Sequence, residues 1–255
     1  MKVLIVTGIW PPDVGGPASH APEFAGWLRS RGIAAEVVTT AAAEPAKQPY
    51  KVHWVARSLP PGLRHAQVAR VVMEQARTAD VVYEISMLGR STVGSTLART
   101  PFVAKLPSDP AYERARRRGL FAGDMDAFQA EKGGVGIRAL RLARDFELRR
   151  AAHVVCPSAY LRELAIGWGV APERVSVVPN PAPPVPDLAP REELRASLGF
   201  DGPTLVFAGR LTRQKTLEVA FAALERNPGV TLVLVGDGPE RAQLEARAGA
   251  QVRFL

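Results

Sequence analysis

Along residues 1–180, short apolar runs alternate with longer stretches of helical period. Residues 3–6, 35–39, 52–55, 81–85, 102–106 and 154–156 read as strands, and several are apolar at nearly every position. Between them, residues 18–30, 63–77 and 92–98 carry helical spacing. Strands of this kind separated by helices predict a parallel sheet covered on both faces. The first helix carries Phe24, Trp27 and Leu28 on one stripe, and Arg31-Gly32 ends it.

The pattern changes between Ser108 and Arg150. Asp109-Pro110-Ala111-Tyr112 opens one helix and Asp124-Met125-Asp126 another, Gly133-Gly134 punctuates, and residues 137–150 form a long amphipathic helix. This segment reads as an insertion in the sheet order. Ser158 is the expected N-cap of the next helix. Asn180-Pro181-Ala182-Pro183-Pro184-Val185-Pro186 reads as a stiff linker, with Asn180 stabilising a hinge turn at the end of an apolar strand. Beyond it, residues 191–198 and 216–226 read as helices, and residues 205–208 and 231–235 as strands. Gly236-Asp237-Gly238-Pro239-Glu240 then turns into a further helix and a terminal strand. The expected organisation is an N-terminal domain over residues 1–182, a linker and lead-in helix over 183–200, and a second domain over 201–255. That second domain reads as the first half of a doubly wound one, so the chain is expected to be truncated.

Composition narrows the class. Hydrophobic residues make up 47% and charged residues 23%, the balance of a globular protein rather than a disordered one. The single cysteine, Cys156, excludes an internal disulfide framework and sits in an apolar run, where a small buried thiol is expected. The N-terminus lacks the pattern of a signal peptide, and no apolar stretch is long enough to span a bilayer, so a cytoplasmic location is expected. The formal net charge is +8, with arginines clustered at 114, 116, 117 and 118 and again at 138, 141, 144, 149 and 150. Aromatic residues are only 7% and no nucleic-acid motif interleaves with the arginines, which argues against nucleic acid. A solvated basic surface and contact with anionic lipid at the inner face of the membrane remain as readings.

Two loops carry the candidate chemistry. Trp10-Pro11-Pro12-Asp13-Val14-Gly15-Gly16-Pro17 follows the first strand, and Gly209-Arg210-Leu211-Thr212-Arg213-Gln214-Lys215 follows the strand at residues 205–208. Each places backbone N–H groups where a strand hands over to a helix, the position at which open α/β sheets bind phosphorylated ligands. Two such loops opening two sheets suggest a ligand held between domains. Gly15 and Gly16 allow close backbone approach to a phosphate or sugar, and a tight turn is the alternative. Arg210 and Lys215 add cations suited to a diphosphate, and solvated loop cations are the alternative. Neither loop has the Gly-x-Gly-x-x-Gly spacing of a dinucleotide-binding dehydrogenase, and Thr39-Thr40 stand where its acidic residue would be.

Taken in order, these motifs resemble those of GT-B-fold glycosyltransferases of family 4. The carriers are Pro12-Asp13-Val14-Gly15-Gly16, Pro157-Ser158 with Leu161, Val177-Val178-Pro179-Asn180-Pro181, Phe207-Ala208-Gly209-Arg210-Leu211 through Lys215, and Leu234-Val235-Gly236-Asp237-Gly238-Pro239. Asp109-Pro110-Ala111-Tyr112-Glu113-Arg114-Ala115 also resembles a stretch found in one subgroup. The resemblance implies an α/β protein of two Rossmann-like doubly wound domains, the first binding acceptor and the second nucleotide sugar. It implies a retaining transfer of a hexose from a nucleoside diphosphate sugar to a glycan or lipid-linked acceptor, with no cofactor and no metal. Gly15, Gly16, Gly209, Arg210 and Lys215 are then the donor and phosphate contacts, and Arg210, Lys215 and Asp109 the catalytic candidates. Asp109 has two readings, a sugar-hydroxyl acceptor at a strand end or the N-cap of the helix that follows. Many relatives place a histidine near that strand end, where this chain has Lys105 and Ser108. His20, His53, His65 and His153 read as surface or packing residues. A Glu-x7-Glu element and a closing C-terminal helix of such enzymes are absent from this sequence. The competing reading is therefore a non-catalytic remnant that binds acceptor or nucleotide. A sugar-nucleotide epimerase of the same fold is opposed by the Gly-Arg-Leu-x-x-x-Lys loop.

Overall fold

The apolar runs of the N-terminal part become the strands of one parallel sheet. The computed structural model describes residues 1–181 and 186–255, and contacts divide the chain into two units, Met1–Ala182 and Pro183–Leu255. The proline-rich stretch at residues 182–185 lies outside the described residues.

The first unit runs β1 (Lys2–Thr7), α1 (Gly16–Ser30), β2 (Ala34–Ala41), β3 (Val52–Ala56), α2 (Pro61–Ala76), β4 (Val81–Glu84), α3 (Leu88–Ala98) and β5 (Phe102–Lys105). It continues with α4 (Pro110–Arg117), α5 (Met125–Ala130), α6 (Val135–Arg150), β6 (His153–Cys156), α7 (Ala159–Gly167) and β7 (Val175–Val177). The strand order is β3-β2-β1-β4-β5-β6-β7. Side chains alternate across a strand, so β1 feeds two cores. Leu4 and Val6 join Val38, Val72, Val82, Phe102 and Leu148 on one face. Val3 and Ile5 join Trp10, Ala21, Ala25, Leu28 and Val37 on the other.

The expected stripe of α1 holds at Leu28 and at Phe24, which packs against the core, and differs at Trp27. The buried residues of the helix are Ala18, Ala21, Ala25 and Leu28, while Trp27 is 48% exposed with the Arg31 guanidinium 4.0 Å from its ring centroid. Small residues let the helix lie close to β1 and β2, which leaves no room for an indole beneath it. Helices α4 to α6 are inserted between the neighbouring strands β5 and β6 and have their own core. There Tyr112, Phe121 and Phe128 meet edge to face around Ile137 and Leu140. Ser158 caps α7, its Oγ accepting from the Leu161 N–H at 3.3 Å. Cys156 is fully buried, and burial pushes its thiol up to about 11.

The second unit runs α8 (Arg191–Ser197), β8 (Thr204–Ala208), α9 (Glu218–Glu225), β9 (Thr231–Val235), α10 (Arg241–Arg247) and β10 (Val252–Phe254). Its strands are parallel in the order β10-β9-β8. Leu211, Leu217, Leu224, Leu232, Leu234 and Leu244 form its core, while Leu205 and Val206 of β8 stand exposed.

Candidate active site

The strand order of the first unit reverses direction at β1, with β2 on one side and β4 on the other. Ligands of open α/β sheets bind at such a point, beyond the carboxyl ends of the strands. Three contacts fix the loop that leaves β1 there. The Gly8 N–H donates to Ser86 Oγ at 2.7 Å, Thr40 Oγ1 donates to the Gly8 carbonyl at 2.7 Å, and Trp10 is buried. Asp13 binds the Arg57 guanidinium through both carboxylate oxygens, and Arg57 in turn donates to the Thr40 carbonyl. The Arg57 hydrogen bonds hold the Asp13 carboxyl below its usual range. Gly15 has φ +152, a conformation that disfavours side chains, and a Cβ there would press on Ile9. No side chain caps α1; Pro17 has no N–H and those of Ala18 and Ser19 donate to the Gly15 carbonyl, so among the described residues only the Gly16 N–H of the first turn stays open to a ligand.

A cavity of about 270 Å³ opens beside this helix start, lined by Gly16, His20, Glu23, Lys105, Asn180 and neighbours. His20, one turn into α1, aims its imidazole between two other elements. Its Nε2 lies 3.4 Å from Tyr83 Oη on β4 and 3.4 Å from Lys105 Nζ at the end of β5. Burial, then the Lys105 ammonium, lowers the His20 pKa, and burial lowers that of Lys105 as well. The result is a neutral imidazole facing a cavity at physiological pH. Proton NMR of the His20 imidazole is expected to show a midpoint below the ordinary value of about 6.5, rising in Lys105→Met as the neighbouring charge is removed. An unchanged midpoint in the variant would break the pairing.

His20 does pack, stacked on Phe24, but it also lines the cavity, as does Asn180. Lys105 occupies the strand end at which the resemblance placed a histidine. The other three histidines have local partners: Glu36 for His53, Arg90 for His65 and Ser176 for His153.

Asp109 requires a correction. It is completely buried and spends its oxygens on protein donors. Oδ1 accepts from the N–H groups of Ala111 and Tyr112 at 2.8 and 3.3 Å, and Oδ2 from Gln129 Nε2 and Arg144 Nη1 at 2.9 and 2.7 Å. Arg144 stacks 3.7 Å from the Trp168 ring centroid, and Trp168 Nε1 donates to Gln129 Oε1 at 3.1 Å. This closed network ties α4, α5, α6 and α7 together and leaves no lone pair for a sugar. Glu84 is another fully buried carboxyl, at the end of β4 beneath the switch point. It accepts from the Met87 N–H, and burial pushes it up to about 8. Near neutral pH it keeps its proton.

In the second unit, the loop after β8 is braced by the loop after β9. The Gly209 N–H donates to the Val235 carbonyl, the Leu211 N–H to the Asp237 carbonyl, and the Glu240 N–H to the Leu211 carbonyl, all at 2.9–3.1 Å. The approach is so close that a Cβ on Gly236 would fall 2.3 Å from the Gly209 oxygen, and one on Gly238 2.2 Å from the Leu211 oxygen. With Leu211 anchored in the core, Arg210 and Lys215 are held at the surface, and no carboxylate among the described residues pairs with either. The described residues include no group of three or more His, Cys, Asp or Glu placed to hold a metal ion.

A family profile described as a glycosyl transferase 4-like domain matches residues 15–181, about two thirds of the sequence. The chain belongs to this family and is a glycosyltransferase. No curated protein sequence matches it. Among solved structures, Anabaena Alr3699/HepE in complex with UDP-glucose aligns over all of this chain and 68% of its own, at 23% identity and TM-score 0.70. Sucrose-phosphate synthase from Thermosynechococcus elongatus aligns over 100% and 70%, at 16% identity and TM-score 0.71. The lipopolysaccharide outer core galactosyltransferase WaaB, in its apo form, aligns over 100% and 67%, at 16% identity and TM-score 0.63. These likenesses establish the GT-B fold class. No helix among the described residues is long and apolar enough to cross a membrane.

Proposed function

We propose that this chain carries the machinery of a retaining transferase that moves a hexose from a nucleoside diphosphate sugar to a hydroxyl of a glycan or lipid-linked acceptor. The observation that carries the reading is the braced Gly209 loop, which holds Arg210 and Lys215 in solvent with no carboxylate partner among the described residues. A guanidinium fork and an ammonium suit the diphosphate, whose negative charge grows as the sugar leaves. HepE has been captured with UDP-glucose, with UDP, and with UDP and glucose, which supports a UDP-sugar as the first donor to try.

In this reading the second unit binds the donor and the first presents the acceptor. The acceptor lies in the His20 cavity, where the imidazole, kept neutral by burial and by Lys105, faces a hydroxyl beside the attacking one. The Gly16 N–H, with Gly15 beside it permitting close approach, receives a substrate phosphate or sugar at the start of α1. The acceptor oxygen attacks C1 from the face the diphosphate leaves, the C1–O bond to phosphate breaks, and the departing phosphate oxygen takes the acceptor proton. Arg210 and Lys215 supply charge stabilisation, so that no metal or cofactor is required. The basic surface of the first unit suits work at the inner, cytoplasmic face of a membrane, on an acceptor carried there.

The test is a donor panel of nucleoside diphosphate sugars with mixed glycan and lipid-linked acceptors. Product NMR reads the anomeric configuration. Donor consumption with retained configuration is expected. Inversion would overturn the mechanism, and binding of nucleotide without turnover of any donor would favour a binding-only protein.

A further inference from the structure

A group of arginines in the first unit is used by none of this chemistry. Next to the His20 cavity, and sharing Ile85, Lys105 and Pro107 with it, lies a second cavity of about 130 Å³ between β4, β5 and α4. Arg114 and Arg117 line it, and both also line a groove that runs on between α2, α3, α4 and α6 past Arg90 and Arg118. The groove is therefore continuous with the pocket assigned above to the acceptor hydroxyl.

The charges along this path are only partly compensated. Arg90 is half-buried, yet among the described residues its guanidinium hydrogen-bonds to Met87 Sδ at 3.1 Å and His65 Nε2 at 2.9 Å, neither of them an anion. Arg117 pairs with no carboxylate among the described residues, and Arg114 meets Glu147 only at 3.9 Å. Burial first, then the cations Arg64, Arg114 and Arg117, disfavours the charged form of Arg90. Glu84 on the cavity floor does not restore the balance, because it stays protonated near neutral pH. Glu113 and Glu147 supply two carboxylates against four arginines along the path, Arg90, Arg114, Arg117 and Arg118. Guanidinium groups gathered at a concave site repel one another until an anion enters, and their planar forks match phosphate oxygens.

We infer that the groove formed by Arg90, Arg114 and Arg117 is an anion subsite, and that it takes a phosphate or diphosphate ester carried by the acceptor. The acceptor assignment rests on the transferase reading above. The anion site does not.

Inorganic pyrophosphate, titrated calorimetrically at low ionic strength, tests the subsite. The background is Arg210→Gln with Lys215→Gln, which silences the other candidate phosphate loop. Adding Arg90→Gln and Arg117→Gln is expected to weaken pyrophosphate binding by at least about tenfold, the worth of one lost charge-assisted hydrogen bond. Arg114 stays in place because its loss would strand Glu147. Arg117 is exposed, so Arg117→Gln alone keeps the test valid should the Arg90 variant fold poorly. Undiminished affinity in the folded variants would overturn the subsite. A second arm uses vesicles rich in phosphatidylglycerol. Vesicle binding that depends on Arg90 and Arg117, with no binding of soluble pyrophosphate, would also overturn it and make the groove a membrane contact. If no sugar donor is ever turned over, the pyrophosphate result still stands, so the two readings fail separately.

Discussion

Exchanging Arg210 and Lys215 together for glutamine is expected to lower kcat/KM by about three orders of magnitude or more, since one stabilising donor alone is worth about 10²–10³ in rate. The loss should fall mainly on kcat, because negative charge on the diphosphate is greatest after the bond to the sugar has stretched. Stability should move by less than about 0.5 kcal/mol, as for other surface changes. Both side chains are exposed, and their removal orphans no carboxylate among the described residues. Arg210→Lys keeps the charge but loses the planar fork and should fall between wild type and Arg210→Gln. Initial-rate kinetics beside a thermal melt reads both quantities. A double variant within a few-fold of wild type would remove the Gly209 loop from the donor site.

Asp109→Ala is expected to do the reverse and cost roughly 3–5 kcal/mol of stability, the loss typical of breaking one side of a buried ion pair. Arg144 would be left with only Asp145, 2.8 Å from its Nε, as a counter-charge, α4 would lose its N-cap, and Gln129 would lose an acceptor. All four tryptophans, Trp10, Trp27, Trp54 and Trp168, lie in the first unit, so their fluorescence in a denaturant titration follows that unit alone. Asp109→Asn keeps a capping oxygen and should lose less stability, with turnover of the folded fraction largely retained. A stable Asp109→Asn protein without turnover would return Asp109 to the catalytic candidates.

The strands of the first unit were legible because each is apolar enough to be buried on two faces. The cap at Ser158 was legible because it is local. On α1 the exposed Trp27 was misread because bulk was taken as a guide to burial, whereas Leu28 and the small Ala18, Ala21 and Ala25 are what the sheet buries. Asp109 had two consistent local readings, and the choice between them lies in Gln129 and Arg144, 20 and 35 residues away. His20 was invisible for the same reason. Tyr83 and Lys105 stand 63 and 85 residues further along, and only the pairing of β1 with β4 and of β4 with β5 brings them to the helix start. Glu84 did leave a trace, a carboxyl within the apolar run Val81-Val82-Tyr83-Glu84-Ile85, where burial raises its pKa.

The backbone contact between the loops after β8 and β9 has a consequence for how such a sequence drifts. Gly236 and Gly238 touch no ligand in the proposed reaction, yet a methyl group on either would collide with the carbonyls beside Arg210. A methyl at either glycine would displace the cations as surely as a change in the cations themselves. Tolerance to substitution at these two glycines is therefore set by the carbonyls of the other loop, and neither loop can change there without displacing its neighbour.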